Sequence, residues 1–262
     1  MNLYISDLHF GHANVIKFDH RPFADRDEMD QAMIQLWNSR VSPDDDVYIV
    51  GDFCYKSDKS PDWYLRKLRG HKHLVVGNHD SVTLNCEEAA KYLESIEKMM
   101  HVTDGDKQIC LCHYPIGDWF KSRHGSWHIY GHIHADKGDV YQLMKTREHA
   151  LNAAACINHY TPASINELIR NNKEFQAKDA ESADLLFVAK NKVTGEQFLF
   201  SFTDLYGYEG EICGIIFRDG VTVFGENTRW IPHQGQGCVL NPDLEIRLAR
   251  AEDRNFPRIT DD

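Results

Sequence analysis

The chain has 262 residues, enough for one large domain or one domain with a small partner, and with 42% hydrophobic residues it can bury a sizeable core. A formal net charge of −11 argues against a broad basic surface for nucleic acid. No apolar run approaches the roughly 20 residues of a membrane helix, no basic-then-apolar leader opens the sequence, and the seven scattered cysteines contain no CxxC pair. The expectation is a cytoplasmic protein with reduced thiols and no membrane association.

Leu3 to Ile5 reads as a short strand and runs into "SDLHFGH". A helix follows from about Asp25 to Val41, opened by a capping box of Asp25 and Glu28, with Met29, Met33, Leu36, Trp37 and Val41 at helical spacing. His20 and Arg21, in "FDHRPF", read as a loop, either plain or facing substrate. "DVYIVGD" is a buried strand; "SPDWYLRKLRG" is a short helix with Ser60 as N-cap and Pro61 in the first turn. "HLVVGNHD" is another apolar strand, "CEEAAKYLESI" a helix, and "QICLCHYP" and "WHIYGHIH" are strands that run into histidine. Cys110 and Cys112 sit two apart and share one sheet face. "HALNAAAC" is a last core strand, followed by a helix that Ser164 and Glu167 cap.

Residues 174–183 are polar and read as a linker. Beyond them "DLLFVAK", "EQFLFSFT", "EICGIIF" and "VTVFGE" alternate as strands between glycine-bearing turns, and "LEIRLARAEDRN" reads as a short helix. The expected organisation is a core over 1–176 and a small β-rich accessory unit over 180–262, through which the chain could form oligomers.

Five strands therefore deliver polar groups to their C-terminal ends, where sites gather in α/β folds. The groups are Asp7, His9, Asp52, Asn78, His113, His132 and His134. Two carboxylates, an amide oxygen and four imidazoles suit manganese, iron, zinc or cobalt better than calcium or magnesium. Seven donors are too many for one tetrahedral ion and suit two ions bridged by a carboxylate and solvent. Asp7 with His9 and His132 with His134 are i, i+2 pairs, which share a face of an extended strand. Gly51, Gly77 and Gly131 each precede a candidate ligand or pair, where close backbone approach favours glycine.

In this order, "DLH", "GD", "GNHD", the lone histidine of "CHYP" and "GHIH" resemble the calcineurin-like metallophosphoesterases, and within them the small bacterial and phage enzymes. The resemblance covers about residues 1–170. It implies a four-layer αββα sandwich with the site at the strand ends. It implies one ion on Asp7, His9, Asp52 and His134, and another on Asp52, Asn78, His113 and His132, with Asp52 bridging. Manganese is the first expectation for both, with iron, zinc, nickel or cobalt as alternatives. A hydroxide between the ions would attack phosphorus in line, and His79 would sit over the phosphate as hydrogen-bond donor or acid. "GDFCYKS" lacks the Asp and Arg that follow this block in the protein-phosphatase branch, which speaks against a protein phosphatase.

His12, Asp80, Arg123 and His124 are candidates for contacting substrate or bracing a ligand. The expected substrate is a small phosphoester, a nucleotide-like diester or monoester. The competing readings are a metal-binding scaffold of the same fold without catalysis, and a nuclease.

Overall fold

The computed structural model describes residues 1–183, 186–195, 197–201 and 244–248. The chain divides into two compact units, Met1–Gln176 and Ala177–Asp262.

In the first unit, β1 (Asn2–Ile5), β2 (Asp46–Ile49), β3 (His71–Val75) and β4 (Ser95–Glu97) form an all-parallel sheet in that order, with Leu3 opposite Val47 and His73 opposite Ser95. A second sheet runs β5 (Met99–Asp104), β6 (Lys107–Cys112), β7 (Trp127–Tyr130) and β8 (Ala150–Asn152); only the β5–β6 hairpin is antiparallel. Parallel neighbours need long connections. Here these carry α1 (Ala13–Phe18), α2 (Arg26–Arg40), α3 (Pro61–Leu65), α4 (Ser81–Leu84), α5 (Glu87–Ala90) and α6 (Asp139–Lys145), and α7 (Ile165–Ala183) follows β8. The fold is α/β with two mostly parallel sheets. No helix of the described residues is long and apolar enough to cross a membrane.

Side-chain alternation sets which face of the first sheet meets what. Leu3, Ile5, Val47, Ile49 and Leu74 join one core cluster with Met29, Met33 and Trp37 of α2. The intervening Tyr4, Val50 and Val75 join another with Ile109, Leu111, Ile129 and Leu151 of the second sheet and Ile165 and Leu168 of α7. A fully buried aliphatic side chain contributes about 1.5–3 kcal/mol. A one-residue slip would exchange the two faces of every strand, so this alternation pins the register that positions the strand ends. Cys110 and Cys112 share the face opposite Ile109 and Leu111, and burial pushes both thiols up, Cys110 to about 11, which keeps them protonated and inert.

Capping follows the expected chemistry at two helices. Asp25 accepts from the Glu28 amide at 2.9 Å, while the Glu28 carboxylate reaches past the cap to the Ala24 amide at 2.6 Å. The Glu167 carboxylate accepts from both the amide and the hydroxyl of Ser164, at 2.8 and 2.7 Å. Ser60 precedes Pro61 without a side-chain cap bond, and Leu36 lies on the exposed side of α2.

Three expectations need correction. The stretch 174–183 is no linker: it continues α7, because "EFQAKDAESA" is made largely of residues with good helix propensity. Of "CEEAAKYLESI" only Glu87–Ala90 is helical, while Ser95–Glu97 pairs with β3 and is strand. In the second unit, β9 (Leu186–Asn191) lies between β10 (Gln197–Ser201) and β11 (Leu244–Leu248), both antiparallel to it. The start of the expected C-terminal helix is therefore strand; "LEIRL" alternates with period two, and cross-strand pairing prevails over helix propensity. The expected strands "EICGIIF" and "VTVFGE" lie outside the described residues.

Candidate metal centre

The loops after β1 and β2 carry Asp7, His9 and Asp52, and they zip together. The Asp7 amide donates to Gly51 O at 3.0 Å, that of His9 to Asp52 O at 2.9 Å and that of Phe10 to Phe53 O at 2.9 Å. This pairing holds the loops in a costly conformation. Asp7, His9, Asp52, His132 and His134 all have φ between 50° and 72°. The left-handed region costs a non-glycine residue roughly 1–2 kcal/mol, and such strain gathers at functional sites.

Around Asp52 the side chains converge. Its Oδ1 accepts from the His79 amide at 2.8 Å. Its Oδ2 lies 3.6 Å from His9 Nε2 and 3.5 Å from His113 Nε2. On one side, His134 Nε2 is 3.2 Å from His9 Nε2 and 3.5 Å from Asp7 Oδ1. On the other, Asn78 Oδ1 is 3.0 Å from His113 Nε2 and 2.8 Å from His132 Nδ1. All seven predicted ligand positions thus belong to one cluster. Asp7, His9 and His134, and separately Asp7, Asp52 and His113, bring their donor atoms within 4.8 Å of one another, close enough to hold a metal ion.

The outer nitrogens decide what these atoms want. His113 Nδ1 lies 2.9 Å from Val50 O; a carbonyl only accepts, so Nδ1 carries the hydrogen. Nε2 is then a lone pair facing the Asn78 and Asp52 oxygens. His134 Nδ1 donates to Asp19 Oδ2 at 2.8 Å, so in the neutral ring Nε2 is the lone pair toward His9 and Asp7; against the downward push of burial, Asp19 and Asp7 raise the pKa of this imidazole. His9 stays neutral: burial, with His134 and Arg21 nearby, holds its imidazole far below the usual range. Neutral His113 and His134 set lone pairs against the oxygens of Asn78, Asp52 and Asp7, and acceptors facing acceptors in a buried pocket repel unless a cation lies between them, so the donor set fits divalent metal. Burial also pushes the Asp52 carboxyl up to about 6, with Asp7 and Asp80 adding to the rise.

A supporting layer fixes the ligands. Asp80, fully buried, accepts from the amides of Asp52 (2.9 Å), Phe53 (2.9 Å) and Gly77 (2.7 Å), and so ties the "GD" loop to the "GNHD" loop. Arg21 was expected in a loop, either plain or facing substrate; instead it is buried and donates to the carbonyls of Asp7 and Leu8, both at 2.8 Å, and to Asp19 at 2.9 Å. Against the upward push of burial, His134 and Arg21 hold the Asp19 carboxyl below its usual range. Asn152 at the end of β8 donates to His134 O at 2.8 Å. Asp19 and Asn152 were missed as site residues. Asp19 carried one signal, opposite charge two residues from Arg21 in a loop otherwise rich in phenylalanine, and Asn152 carried none.

Close approach explains two glycines. A Cβ on Gly51, at φ +88°, would fall 2.2 Å from His113 Nδ1, and one on Gly77 would fall 2.3 Å from Asp52 Oδ1. Gly77→Ala is expected to displace Asp52, lowering metal content and costing about 1–3 kcal/mol of stability. Elemental analysis with urea unfolding checks this; wild-type metal content at wild-type stability would contradict it.

The cluster opens on a cleft of about 630 Å³ lined by His9, His79 and His134 near the centre and by His12, Tyr55, Lys56 and Phe18 farther out. His12 is 9% exposed, with its ring 5.6 Å from that of His9. The His79 ring lies 5.5 Å from His9 and 4.1 Å from Tyr55. Arg123 and His124 sit on a 3₁₀ turn, Ser122–His124, and line two other depressions; neither lines this cleft.

No family model matches the chain. It is 30% identical over 168 residues to the uncharacterized protein MJ1445 of Methanocaldococcus jannaschii, spanning 63% of this chain and 88% of that one. It is 29% identical over 160 residues to the gene 66 protein of Mycobacterium phage L5, spanning 50% of this chain and 76% of that one. Among solved structures it is similar to a protein of unknown function, AQ665 of Aquifex aeolicus, with 26% identity and a TM-score of 0.53 over 65% of this chain and 98% of that one.

Proposed function

This chain belongs to the same family as the archaeal protein MJ1445, and we propose that it is a phosphohydrolase that works with two divalent metal ions. The observation that carries the reading is the place of Asp52 Oδ2, within 3.6 Å of His9 Nε2 and 3.5 Å of His113 Nε2. Asp7, His9, Asp52 and His134 would hold one ion; Asp52, Asn78, His113 and His132 would hold the other. The resemblance of the five sequence blocks to calcineurin-like metallophosphoesterases supports the same division, and manganese is the first ion to try. The two core clusters support a four-layer αββα arrangement as the architecture.

Bound ions of this kind activate a water and neutralise the phosphoryl oxygens. The chain's own residues do the rest. Asp52 uses Oδ1 to hold the backbone of His79 in place and keeps Oδ2 for the centre. Asp19 and Val50 fix the tautomers of His134 and His113, so that both present lone pairs without rearrangement. His79 lines the cleft and donates a hydrogen bond to the phosphate or a proton to the departing oxygen. The substrate is a small phosphoester.

The test is turnover of a panel of phosphomonoesters and diesters by the manganese-loaded chain. At least one diester is hydrolysed, and a chelator abolishes the activity. His79→Ala retains its metal and loses about 10²–10⁴-fold in kcat. If two ions are bound and no ester turns over with manganese, nickel, cobalt or zinc, the enzyme reading fails and a metal-binding scaffold replaces it.

A further inference from the structure

Beyond the seven ligand positions and His79, the cleft carries groups with no part in holding ions. Phe18, the last residue of α1, lines it with 71% of its surface exposed. One exposed apolar side chain is ordinary; its place is not. A wall of rings leads out from the centre, from His9 to His12 in a step of 5.6 Å and from His12 to Phe18 in a step of 6.4 Å. Tyr55 is engaged by the His79 ring at 4.1 Å and the Lys56 ammonium at 5.1 Å. Phe18 is therefore the open aromatic face of the cleft. Lys56 is the one lysine or arginine lining it and makes no ion pair among the described residues. Asn14 and Asp136 also line it, offering a donor and an acceptor.

We infer that this outer part of the cleft is a subsite for a nucleoside. The phosphate of a nucleotide lies at the metal centre, the base stacks on Phe18, Asn14 and Asp136 meet the sugar hydroxyls, and Lys56 draws the anion in. The inference rests on the reading of the centre as one for phosphoesters and adds what the ester carries. Stacking of a base on an aromatic side chain is sequence-tolerant, so Phe18 selects a planar ring and not a particular base. Lys56 acts as a point charge on phosphate and is indifferent to the ring.

The two roles separate in a binding experiment that needs no turnover. The manganese-loaded full chain is titrated by calorimetry with AMP and with ribose 5-phosphate, which differ only in the base. AMP binds about tenfold more tightly, the ratio expected from one stacked base. Phe18→Ala brings the two ligands to about equal affinity and leaves ribose 5-phosphate unchanged; Phe18→Leu, which keeps the bulk and removes the ring, does the same. Lys56→Ala weakens both ligands by a common factor and preserves their ratio. Equal binding of AMP and ribose 5-phosphate by the wild type, or a ratio that survives Phe18→Ala, overturns the nucleoside subsite and leaves the phosphoester reading standing. Failure of AMP, ribose 5-phosphate and inorganic phosphate alike to bind metal-loaded protein overturns that reading and the subsite with it.

Discussion

On the proposed two-ion reading, Asp52→Asn is expected to empty the whole centre, whereas loss of a ligand on one side is expected to empty half of it. Elemental analysis of the purified variant should find metal content falling from two ions per chain to none. Asn78→Ala, which removes an oxygen that faces only His113 and His132, should retain about one. The difference follows from the carboxylate's two oxygens. Oδ1 is held by the His79 amide at 2.8 Å, so the side chain cannot turn over, and Oδ2 faces His9 and His113 together. In the variant the same amide still requires an oxygen at Oδ1, which forces the new NH₂ group toward the His9 and His113 rings. A donor then stands where a cation should, and a negative charge is lost from a site where Asp52 is 1% exposed. The metal-free protein gains by the change, since the His113 lone pair acquires a donor and a buried carboxylate disappears. Asp52→Asn is therefore expected to melt at or above the temperature of metal-free wild type while binding no metal. That combination excludes misfolding as the cause of metal loss. Two tightly held ions in Asp52→Asn would refute the bridging assignment.

The parts of this site that were legible in sequence share a cause. Strand ends are visible because apolar alternation stops where the candidate ligands begin: Leu3 to Ile5 before Asp7, Asp46 to Val50 before Asp52, His71 to Val75 before Asn78. Glycine before a ligand is also visible, and at Gly51 and Gly77 the close approach it allows is real. What stayed hidden depends on partners distant in sequence. Arg21 looks like any loop arginine until the carbonyls of Asp7 and Leu8 surround it. Asp19 pairs with His134 across 115 residues, and no local pattern announces that. The left-handed backbone of Asp7, His9 and Asp52 is likewise imposed by loop-to-loop pairing; Asp and His enter that region more often than most residues, yet too seldom for it to be read from their identity. The misread helix at "LESI" reflects the same limit, whereas the misread linker at 174–183 was a local signal passed over. Tertiary pairing made a strand of the first, and intrinsic propensity carried a helix through the second.

Arg21→Met should be the most destabilising of the substitutions considered, costing about 3–5 kcal/mol in urea unfolding of the metal-free protein. Methionine keeps the aliphatic bulk, so the loss is electrostatic. The guanidinium side chain is fully buried against Asp19, whose own side chain is 8% exposed. It also satisfies two loop carbonyls that have turned inward because Asp7 and His9 sit in the left-handed region. Removing it leaves the buried Asp19 carboxylate with the His134 bond and no cation, strands two carbonyl oxygens, and frees the strained loop that carries two candidate ligands. Asp19→Asn keeps a hydrogen-bond acceptor for His134 and removes the charge, so its cost falls on the metal instead, with an affinity about 10–100-fold lower. The double variant separates the two effects. Once Asp19 is neutral, loss of Arg21 no longer leaves an unpaired charge, so Asp19→Asn with Arg21→Met is expected to be less destabilised than the two single changes added together. Strict additivity, or an Arg21→Met protein within about 1 kcal/mol of wild type, would mean that the loops hold their shape without the arginine. The strain at Asp7 and His9 would then be carried by their backbone pairing with Gly51 and Asp52 alone.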